Sequence, residues 1–503
     1  MNTPTRRVLV TGATGFVGRS LCLRLARDGW QVAAWARSPD RARAQLGAGV
    51  EIVPVRDGDA ELVAALSGVD AVVHLAGENL FGGRWTEARK RLLVESRIDL
   101  TRRLVRAMER SGRAPATLVS ASAVGLYGSR GDEVLTEAST PADDFLGELC
   151  RGWEAVGREA EKLGTRVVHL RLGIVLGAEG GALARMLPPF RMGVGGRLGS
   201  GRQWMSWIQL DDLLAMFVRA LDDSAWSGAY NAVAPQPVTN SEFTRVLGRE
   251  LGRPTVLPAP ALALKLALGE AAEVLLGSQR AVPQRALEAG FRFCCGDLAT
   301  ALGAELGAVS GLSIGPARDV PDAAYLRERR PTHLLESETW IDAPLEEVFG
   351  FFSRAENLGA MTPPSMGFEI RTPLPITMRE GATIDYRIQL GPVPLSWRTR
   401  IDAWEPGARF VDVQLSGPYA CWYHEHRFEA VDGRTRMTDR VWYAAPLGPL
   451  GRMAQGLAVA PQLRSIFAFR ARAIARRFGV AGPAAPRPAR SAESNGRMAM
   501  NPV

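Results

Sequence analysis

Three glycines near the start of the chain are spaced as GxxGxxG, and they constrain the fold more than any other feature. They are Gly12, Gly15 and Gly18, within the stretch RVLVTGATGFVG. A short apolar run, Val8 to Val10, precedes them, and residues 19–28 carry apolar side chains at helical spacing. This order predicts a strand, a tight turn and a helix.

Each glycine has its own physical role in such a turn. Gly12 permits the tight turn, Gly15 lets a pyrophosphate approach the backbone, and Gly18 lets the helix pack close to the strand. The free amides at the start of the helix then face the phosphates. The alternative is a glycine-rich loop without a ligand, but the strand, turn and helix context favours a dinucleotide site.

The residues after the second predicted strand indicate which nicotinamide coenzyme is bound. That strand, Gln31 to Ala36, ends at Arg37 and Ser38, about 20 residues after the glycines. An acidic side chain there would bind the ribose hydroxyls of NAD. A guanidinium instead suits the 2′-phosphate of NADP. We therefore expect NADP, with NAD as the alternative.

Apolar strands and amphipathic helices alternate through the first half of the chain. Such alternation predicts an α/β fold, a doubly wound parallel sheet with ligands at the strand ends. His74 lies inside an apolar strand and is interpreted as a core residue with satisfied hydrogen bonds. The six predicted strands are residues 8–10, 31–36, 50–55, 71–77, 117–122 and 166–176.

Composition excludes several classes of protein. A chain of 503 residues is long enough for two or three domains. The net charge of +8 comes mostly from arginines scattered along helices, which is typical of solvated helix faces and does not indicate nucleic-acid binding. Five cysteines without CxxC spacing argue against zinc and against a disulfide framework. Without a signal peptide or a membrane-spanning apolar run, we expect a cytoplasmic protein.

Several motifs, in this order, resemble the extended short-chain dehydrogenase/reductase superfamily: TGATGFVG, HLAG, SASAVGLYG, RLGIVLG and GSGRQWMSWIQLDDL. GENLFGGRWTEARKRLLVESR and MLPPFRMGVGGRLGSGRQWMSWI are similar to its atypical, epimerase-like branch. The resemblance covers about residues 6–305. It implies a Rossmann domain, a substrate-covering region at about 177–304, and an NAD(P)-dependent oxidoreductase or epimerase acting on a small molecule. The expected cofactor-binding residues are Thr11, Gly12, Thr14, Gly15, Phe16, Val17, Gly18, Arg37, Ser38, Leu75, Ala76, Gly77 and Ser120.

The catalytic residues of that superfamily are mostly replaced. Its members use a Tyr-x-x-x-Lys pair, and aligning the helix FLGELCRGWE puts Leu146 and Cys150 at those positions. Arg97 stands where a helper asparagine is usual. Ser122 and Tyr127 remain as candidate catalytic residues, the first to orient a substrate oxygen and the second to move a proton. The alternatives are that Tyr127 packs beneath its loop and that the chain is a silent NADP sensor.

Four arginines in the substrate-covering region could bind an anionic substrate. In sugar-nucleotide members of the superfamily this region holds a diphosphate. Arginines on loops are usually only solvated, so the sequence leaves an anionic substrate open. The four are Arg185, Arg191, Arg197 and Arg202.

The pattern changes after a predicted linker at residues 306–333. Period-two runs follow in series, which predicts an antiparallel sheet with one buried face. An amphipathic helix over residues 461–478 should lie across that sheet. The patterns IDAPLEEVFGFFSRAENL and YHEHRFEAVDGRTRMTDRVWY make residues 334–479 resemble the START-like, or helix-grip, superfamily, an α+β fold. The resemblance implies an apolar cavity and a hydrophobic small-molecule ligand.

His424 and His426 alternate along one predicted strand and so share a face. A metal site would need further ligands, which the sequence does not show beside them, so packing on the strand is favoured and no metal is expected. Residues 480–503 consist of Pro, Ala, Ser and Arg without periodicity, which predicts a disordered tail.

Overall fold

The computed structural model describes residues 6–307, 311–390, 393–446, 455 and 459–479. The predicted disordered tail, 480–503, lies outside the described residues. The strands of the first half are β1 Arg7–Thr11, β2 Gln31–Ala36, β3 Val50–Pro54, β4 Ala71–His74, β5 Thr117–Ala123, β6 Val134–Leu135, β7 Arg166–Leu172, β8 Ile174–Leu176, β9 Trp204–Met205, β10 Trp207–Gln209, β11 Gly228–Ala232, β12 Val238–Thr239 and β13 Arg280–Ala281.

Seven of these strands form one sheet in the order β11-β7-β5-β4-β1-β2-β3. Every neighbouring pair is parallel, so the predicted doubly wound parallel sheet is confirmed. The seventh strand, β11, was not predicted. The predicted strand over 166–176 is divided at Gly173, because β8 leaves the large sheet and pairs with β10.

Apolar side chains on both faces of this sheet are buried under helices. Val8 and Val10 of β1 belong to one hydrophobic cluster, whereas Leu9 between them belongs to another on the opposite face. Burial on both faces is what an apolar parallel strand requires. The helices are α1 Phe16–Arg27, α2 Pro39–Leu46, α3 Ala60–Ser67, α4 Glu87–Val94, α5 Leu100–Arg110, α6 Phe145–Arg158, α7 Gly181–Arg191, α8 Leu210–Asp222, α9 Asn240–Leu251, α10 Ala261–Leu268, α11 Glu273–Leu276, α12 Gln284–Glu288 and α13 Leu298–Leu306.

The second half is built on an eight-stranded sheet. Its order is β14-β15-β21-β20-β19-β18-β17-β16, and all of its neighbouring strands are antiparallel, as predicted. The strands are β14 Leu312–Pro316, β15 His333–Ile341, β16 Glu369–Ile370, β17 Thr383–Leu390, β18 Val393–Glu405, β19 Arg409–Ser416, β20 Cys421–Val431 and β21 Arg434–Ala444. The helices are α14 Ala324–Glu328, α15 Leu345–Phe352 and α16 Ala460–Phe478.

Part of the stretch expected to be a linker, β14, belongs to this second sheet. β14 pairs with β15, and α14 buries Tyr325 and Leu326 against the sheet. The sequence suggested a linker because glycines, prolines and charges interrupt its period. The pairing partner that turns this stretch into an edge strand lies about 20 residues further along the chain.

Helix α16 lies between the two halves of the molecule. Phe469 and Ala473 of α16 share a hydrophobic cluster with Leu23 of α1. The arginines of this helix were expected on a solvated face, but Arg476 is only 6% exposed and pairs with acids of the first half. Within the described residues, no helix has the length and apolar character needed to cross a membrane.

Candidate functional site

The glycine loop has the geometry predicted for it. Gly12 adopts a φ of +67°, and a Cβ there would come within 2.8 Å of the backbone of Leu75 and Ala76. A Cβ at Gly18 would come within 2.3 Å of the Gly12 carbonyl oxygen. Gly15 is exposed and immediately precedes α1. Gly12 and Gly18 are therefore packed against backbone atoms, whereas Gly15 is open to solvent. This arrangement fits a pyrophosphate.

Thr11 joins the ends of β1 and β4 behind this loop. Its hydroxyl lies 2.7 Å from His74 Nδ1 and accepts hydrogen bonds from the amides of Leu75 and Ala76, both at 3.2 Å. His74 Nε2 contacts Thr101 Oγ1 at 2.9 Å, and burial lowers the pKa of His74 to about 4. His74 is thus a neutral core residue, as expected, and it fixes two strand ends at the predicted site.

The remaining predicted cofactor residues lie around the same edge of the sheet. Thr14 and Gly77 are exposed, and Phe16 and Val17 are partly buried. Phe16 packs against the loop after β8, since a Cβ at Gly177, Gly180 or Gly181 would touch its ring. Ser120 is different, because it is fully buried within β5.

Arg37 stands at the carboxyl end of β2, where the sequence places it. Its side chain is 83% exposed and lies 3.4 Å from Glu78, which follows β4. Ser38 is the N-cap residue of α2, but its hydroxyl accepts no hydrogen bond from the first turn of that helix. A cation this exposed can exchange its contact with Glu78 for one with a phosphate bound at this edge of the sheet.

Ser122 and Tyr127 belong to one buried polar network. Ser122 Oγ donates to Glu154 Oε1 at 2.7 Å, and Arg171 binds both oxygens of Glu154 at 2.8 and 2.9 Å. Arg171 also donates to the Tyr127 hydroxyl at 2.9 Å, and that hydroxyl donates to Asn231 Oδ1 at 2.6 Å. Both predicted catalytic hydroxyls are thus bonded to protein groups.

The charges of this network depend on one another. Burial alone would raise the pKa of Glu154, but the Arg171 guanidinium holds it below its usual value. Burial raises the pKa of the Tyr127 phenol above its usual value, although Arg171 opposes the rise. At neutral pH the phenol is therefore protonated and can donate a proton but cannot serve as a standing base.

The positions of the missing Tyr and Lys pair are filled by inert groups. Cys150 is buried, and burial raises the pKa of its thiol to about 12, so no thiolate is available. Arg97 lies nearby, in a π-helical turn between α4 and α5, and donates to the Glu78 carbonyl at 2.9 Å. A Cβ at Gly77 would come within 3.2 Å of its guanidinium, so Arg97 borders the predicted cofactor cleft.

Sequence reasoning missed Glu154, Arg171 and Asn231. A signal for Arg171 was present, because a charged residue inside an otherwise apolar strand must have a buried partner. The four candidate substrate arginines are brought neither to this network nor into the interior, since all four are exposed.

The second half encloses a cavity of about 190 Å³ between its sheet and α16. Its walls are mostly aromatic and aliphatic, with Trp397 and Trp422 from the sheet and Phe467 from the helix. Asp412, His424, His426 and Arg470 also line it. The cavity is therefore apolar with a charged group at one place.

Comparison with known proteins relates the first half of the chain to one family. Residues 8–232 match the NAD dependent epimerase/dehydratase family, and residues 259–305 match a domain of unknown function (DUF1731). Epimerase family protein YfhF of Bacillus subtilis (strain 168) is 38% identical over 296 residues, which are 59% of this chain and 96% of that protein. The chloroplastic SDR39U1 homolog of Arabidopsis thaliana is 42% identical over 295 residues, 57% of this chain and 82% of that protein.

A solved structure extends this similarity to the fold. The crystal structure of human epimerase family protein SDR39U1 (isoform 2) with NADPH is 35% identical, with a TM-score of 0.54, over 60% of this chain and 99% of that chain. With such identity over nearly the whole of a relative, and with the nucleotide loop in place, the chain belongs to the NAD dependent epimerase/dehydratase family through its N-terminal domain.

Proposed function

We propose that this protein is an NADP-dependent oxidoreductase or epimerase fused to a START-like module that binds an apolar small molecule. The observation that carries the proposal is the position of α16. Leu463, Phe467 and Arg470 of this helix line the apolar cavity, while Arg476 contacts the first domain. The nucleotide fold and the cavity are thus joined by one helix.

The proposed binding of NADP rests on the glycine loop and Arg37. Residues Gly12 to Gly18 would hold the pyrophosphate, and Arg37 would bind a 2′-phosphate. NADPH in the related human structure supports the choice of NADP over NAD. When bound, the nicotinamide supplies or accepts hydride, and the protein contributes binding and orientation. An exposed arginine at the end of β2 is the feature of this chain that favours the phosphorylated coenzyme.

Ser122 and Tyr127 are the proposed catalytic residues. Ser122 would exchange its bond to Glu154 for one to the substrate oxygen, and Tyr127 would donate a proton to that oxygen. The raised pKa of Tyr127 suits the direction in which a carbonyl is reduced. Arg171 contacts both Glu154 and Tyr127, so it would keep the two hydroxyls in register.

The proposed binding of an apolar molecule by the second domain rests on the shape and lining of the cavity. An antiparallel sheet that packs against one long helix, with an apolar space between them, is the arrangement expected of a helix-grip fold. A space of about 190 Å³ suits a molecule with one or two rings. All five cysteines are free thiols, as in a reducing compartment, and we place this function in the cytoplasm.

A second candidate function is a sensor that binds NADP without turnover. It is favoured by the hydrogen bonds of Ser122 and Tyr127, because neither hydroxyl is free to meet a substrate without breaking a buried bond. The inert Cys150 at the position of the usual lysine favours it too. In this case the module would report its apolar ligand to the nucleotide domain through α16.

Purified full-length protein can decide between these functions. NADPH and NADH binding are first measured by the fluorescence of the reduced nicotinamide. Oxidation of bound NADPH is then followed at 340 nm across a panel of apolar aldehydes and ketones. Turnover with any carbonyl supports the oxidoreductase. Binding without turnover, and without exchange of label from tritiated nicotinamide, supports the sensor, and absence of coenzyme binding contradicts both.

A further inference from the structure

Two histidines and two aspartates form a closed ring at one place on the cavity wall. His424 and His426 lie on β20, and their rings are 3.8 Å apart. The neighbouring strands supply the acids, Asp412 from β19 and Asp439 from β21. Each imidazole contacts both acids, one through each of its nitrogens.

The two sides of this ring differ. On the inner side, Asp439 Oδ1 lies 3.0 Å from His424 Nε2 and 2.7 Å from His426 Nδ1. Asp439 is 3% exposed and does not line the cavity. On the cavity side, Asp412 Oδ2 lies 3.1 Å from His426 Nε2 and 3.5 Å from His424 Nδ1. Asp412 and both histidines thus line the cavity, whereas Asp439 does not.

The ring of two histidines and two aspartates has fewer N–H donors than lone-pair acceptors. A neutral imidazole carries one N–H, and Asp439 is placed to accept that N–H from both rings, while the Arg470 guanidinium also lies 3.2 Å from His426 Nδ1. In that arrangement His424 Nδ1, His426 Nε2 and Asp412 Oδ2 present only lone pairs. One ligand atom from each of the three residues lies within 4.8 Å of the other two. A cation shared by these three residues would remove the repulsion between their lone pairs.

The spacing fits a metal ion. Two ligands at right or tetrahedral angles on a metal, each at about 2.1 Å, are about 3.0 to 3.4 Å apart. The two distances from Asp412 to the histidines, 3.1 and 3.5 Å, lie close to these values. Ligating histidines usually donate their second N–H to a carboxylate, which is the position of Asp439 here. Arg470 contacts Asp439 at 3.4 Å and offsets its charge.

We propose that Asp412, His424 and His426 bind one divalent first-row transition ion, of the class of Zn²⁺ or Fe²⁺, with open coordination positions that face the apolar cavity. Two imidazoles and one carboxylate are the donor set that these ions accept. An otherwise apolar molecule with one carbonyl, phenol or carboxylate oxygen would complete the coordination. The identity of this ligand rests on the proposed apolar-ligand function, whereas the metal site does not.

Full-length protein treated with a chelator and titrated with Co²⁺ tests the metal site. Tightly bound Co²⁺ gives visible d–d absorption, and one equivalent that Zn²⁺ displaces is the expected result. His424→Ala and His426→Ala should each weaken binding at least 100-fold. Asp439→Asn should weaken it about 10- to 100-fold at unchanged stoichiometry, because it acts through the ligands. His333→Ala is the matched control, since His333 belongs to the same sheet but lies outside the ring.

The Co²⁺ titration of wild-type protein is by itself a test of the metal site, so the test does not depend on whether the variants fold. Absence of Co²⁺ absorption, or binding that both histidine variants retain, contradicts the metal site. Binding of the dye 1-anilinonaphthalene-8-sulfonate to the cavity is measured separately by its fluorescence. Metal binding without dye binding contradicts the apolar-ligand function and leaves the metal site. Dye binding without metal binding has the opposite meaning.

Discussion

Glu179 Oε2 lies 2.9 Å from Arg476 Nη1, and the two side chains are only 5% and 6% exposed. Glu179 follows β8 in the nucleotide domain, and Arg476 belongs to the last turn of α16. The same carboxylate contacts Arg472 at 2.6 Å. A buried ion pair of this kind is costly to break, because the remaining partner is left charged without water. The two domains are therefore held in one orientation.

Replacing Glu179 with glutamine should loosen the contact between the domains. We expect a loss of about 3 kcal/mol in the free energy of unfolding, measured with urea, because the buried Arg476 and the partly buried Arg472 lose their shared partner. Limited proteolysis should then cut between the domains. Arg464→Ala is the matched control, since Arg464 is exposed on the same helix. Equal stability of the Glu179 variant and this control would contradict a structural role for the pair.

Gly18→Ala should abolish coenzyme binding. The added Cβ would lie 2.3 Å from the Gly12 carbonyl oxygen, so α1 must shift and take the amides of the loop with it. We expect NADPH affinity to fall more than tenfold, together with a lower Tm. Gly58→Ala is the control, because a Cβ there meets no atom within 4 Å. Unchanged NADPH fluorescence in the Gly18 variant would exclude this loop as the pyrophosphate site.

Arg37→Ala should change the preference between coenzymes. A charge-assisted contact with the 2′-phosphate would be lost, which predicts about a tenfold higher Kd for NADPH and little change for NADH. Arg113→Ala serves for comparison, since Arg113 is also exposed but lies at the opposite edge of the sheet, beside Asp70. If both variants bind the two coenzymes like the wild type, a residue other than Arg37 selects NADP.

The Glu154–Arg171 pair predicts a pH dependence of stability. Arg171 holds the pKa of Glu154 below its usual value of 4.5, despite burial. A lowered pKa in the folded state contributes stability that is present above about pH 4.5 and is lost as the pH falls through the folded value. Glu154→Gln should therefore cost most at pH 7, and the difference from wild type should shrink towards pH 3. Urea unfolding at both pH values measures it, and a constant difference would refute the assignment.

Ser122→Ala combined with Tyr127→Phe tests the catalytic assignment. If the protein turns over a carbonyl, we expect kcat to fall at least 100-fold while the Kd for NADPH stays the same. Unfolding measurements accompany the kinetics, because the Tyr127 hydroxyl also bonds to Asn231 and Arg171. Unaltered turnover in this variant would assign catalysis to other residues.

The nucleotide loop and most strands of the two sheets could be predicted because their signals are local. The GxxGxxG spacing and the apolar run before it define β1 and α1, and period-two patterns define β17 to β21. β11 was missed because GAYNA is short and only weakly apolar. β14 was missed because its strand character comes from pairing with β15 and not from its own sequence.

The polar clusters could not be predicted because strand register creates them. Asp412 is paired with His424 across β19 and β20, and Asp439 is paired with His426 across β20 and β21. A shift of one residue in either register would turn the acid to the opposite face. The sequence shows two histidines on one face, but only the paired strands show what stands beside them.

Leu23 lies where the two domains of this protein meet. It is a residue of the nucleotide domain, yet its side chain completes a hydrophobic cluster made almost entirely by the second domain. Excision of everything after residue 305 would leave this leucine and the buried Arg19 uncovered on α1, the helix that follows the glycine loop. A shortened version would therefore expose side chains that the second domain now covers, and a polar residue at position 23 would reduce its tendency to associate.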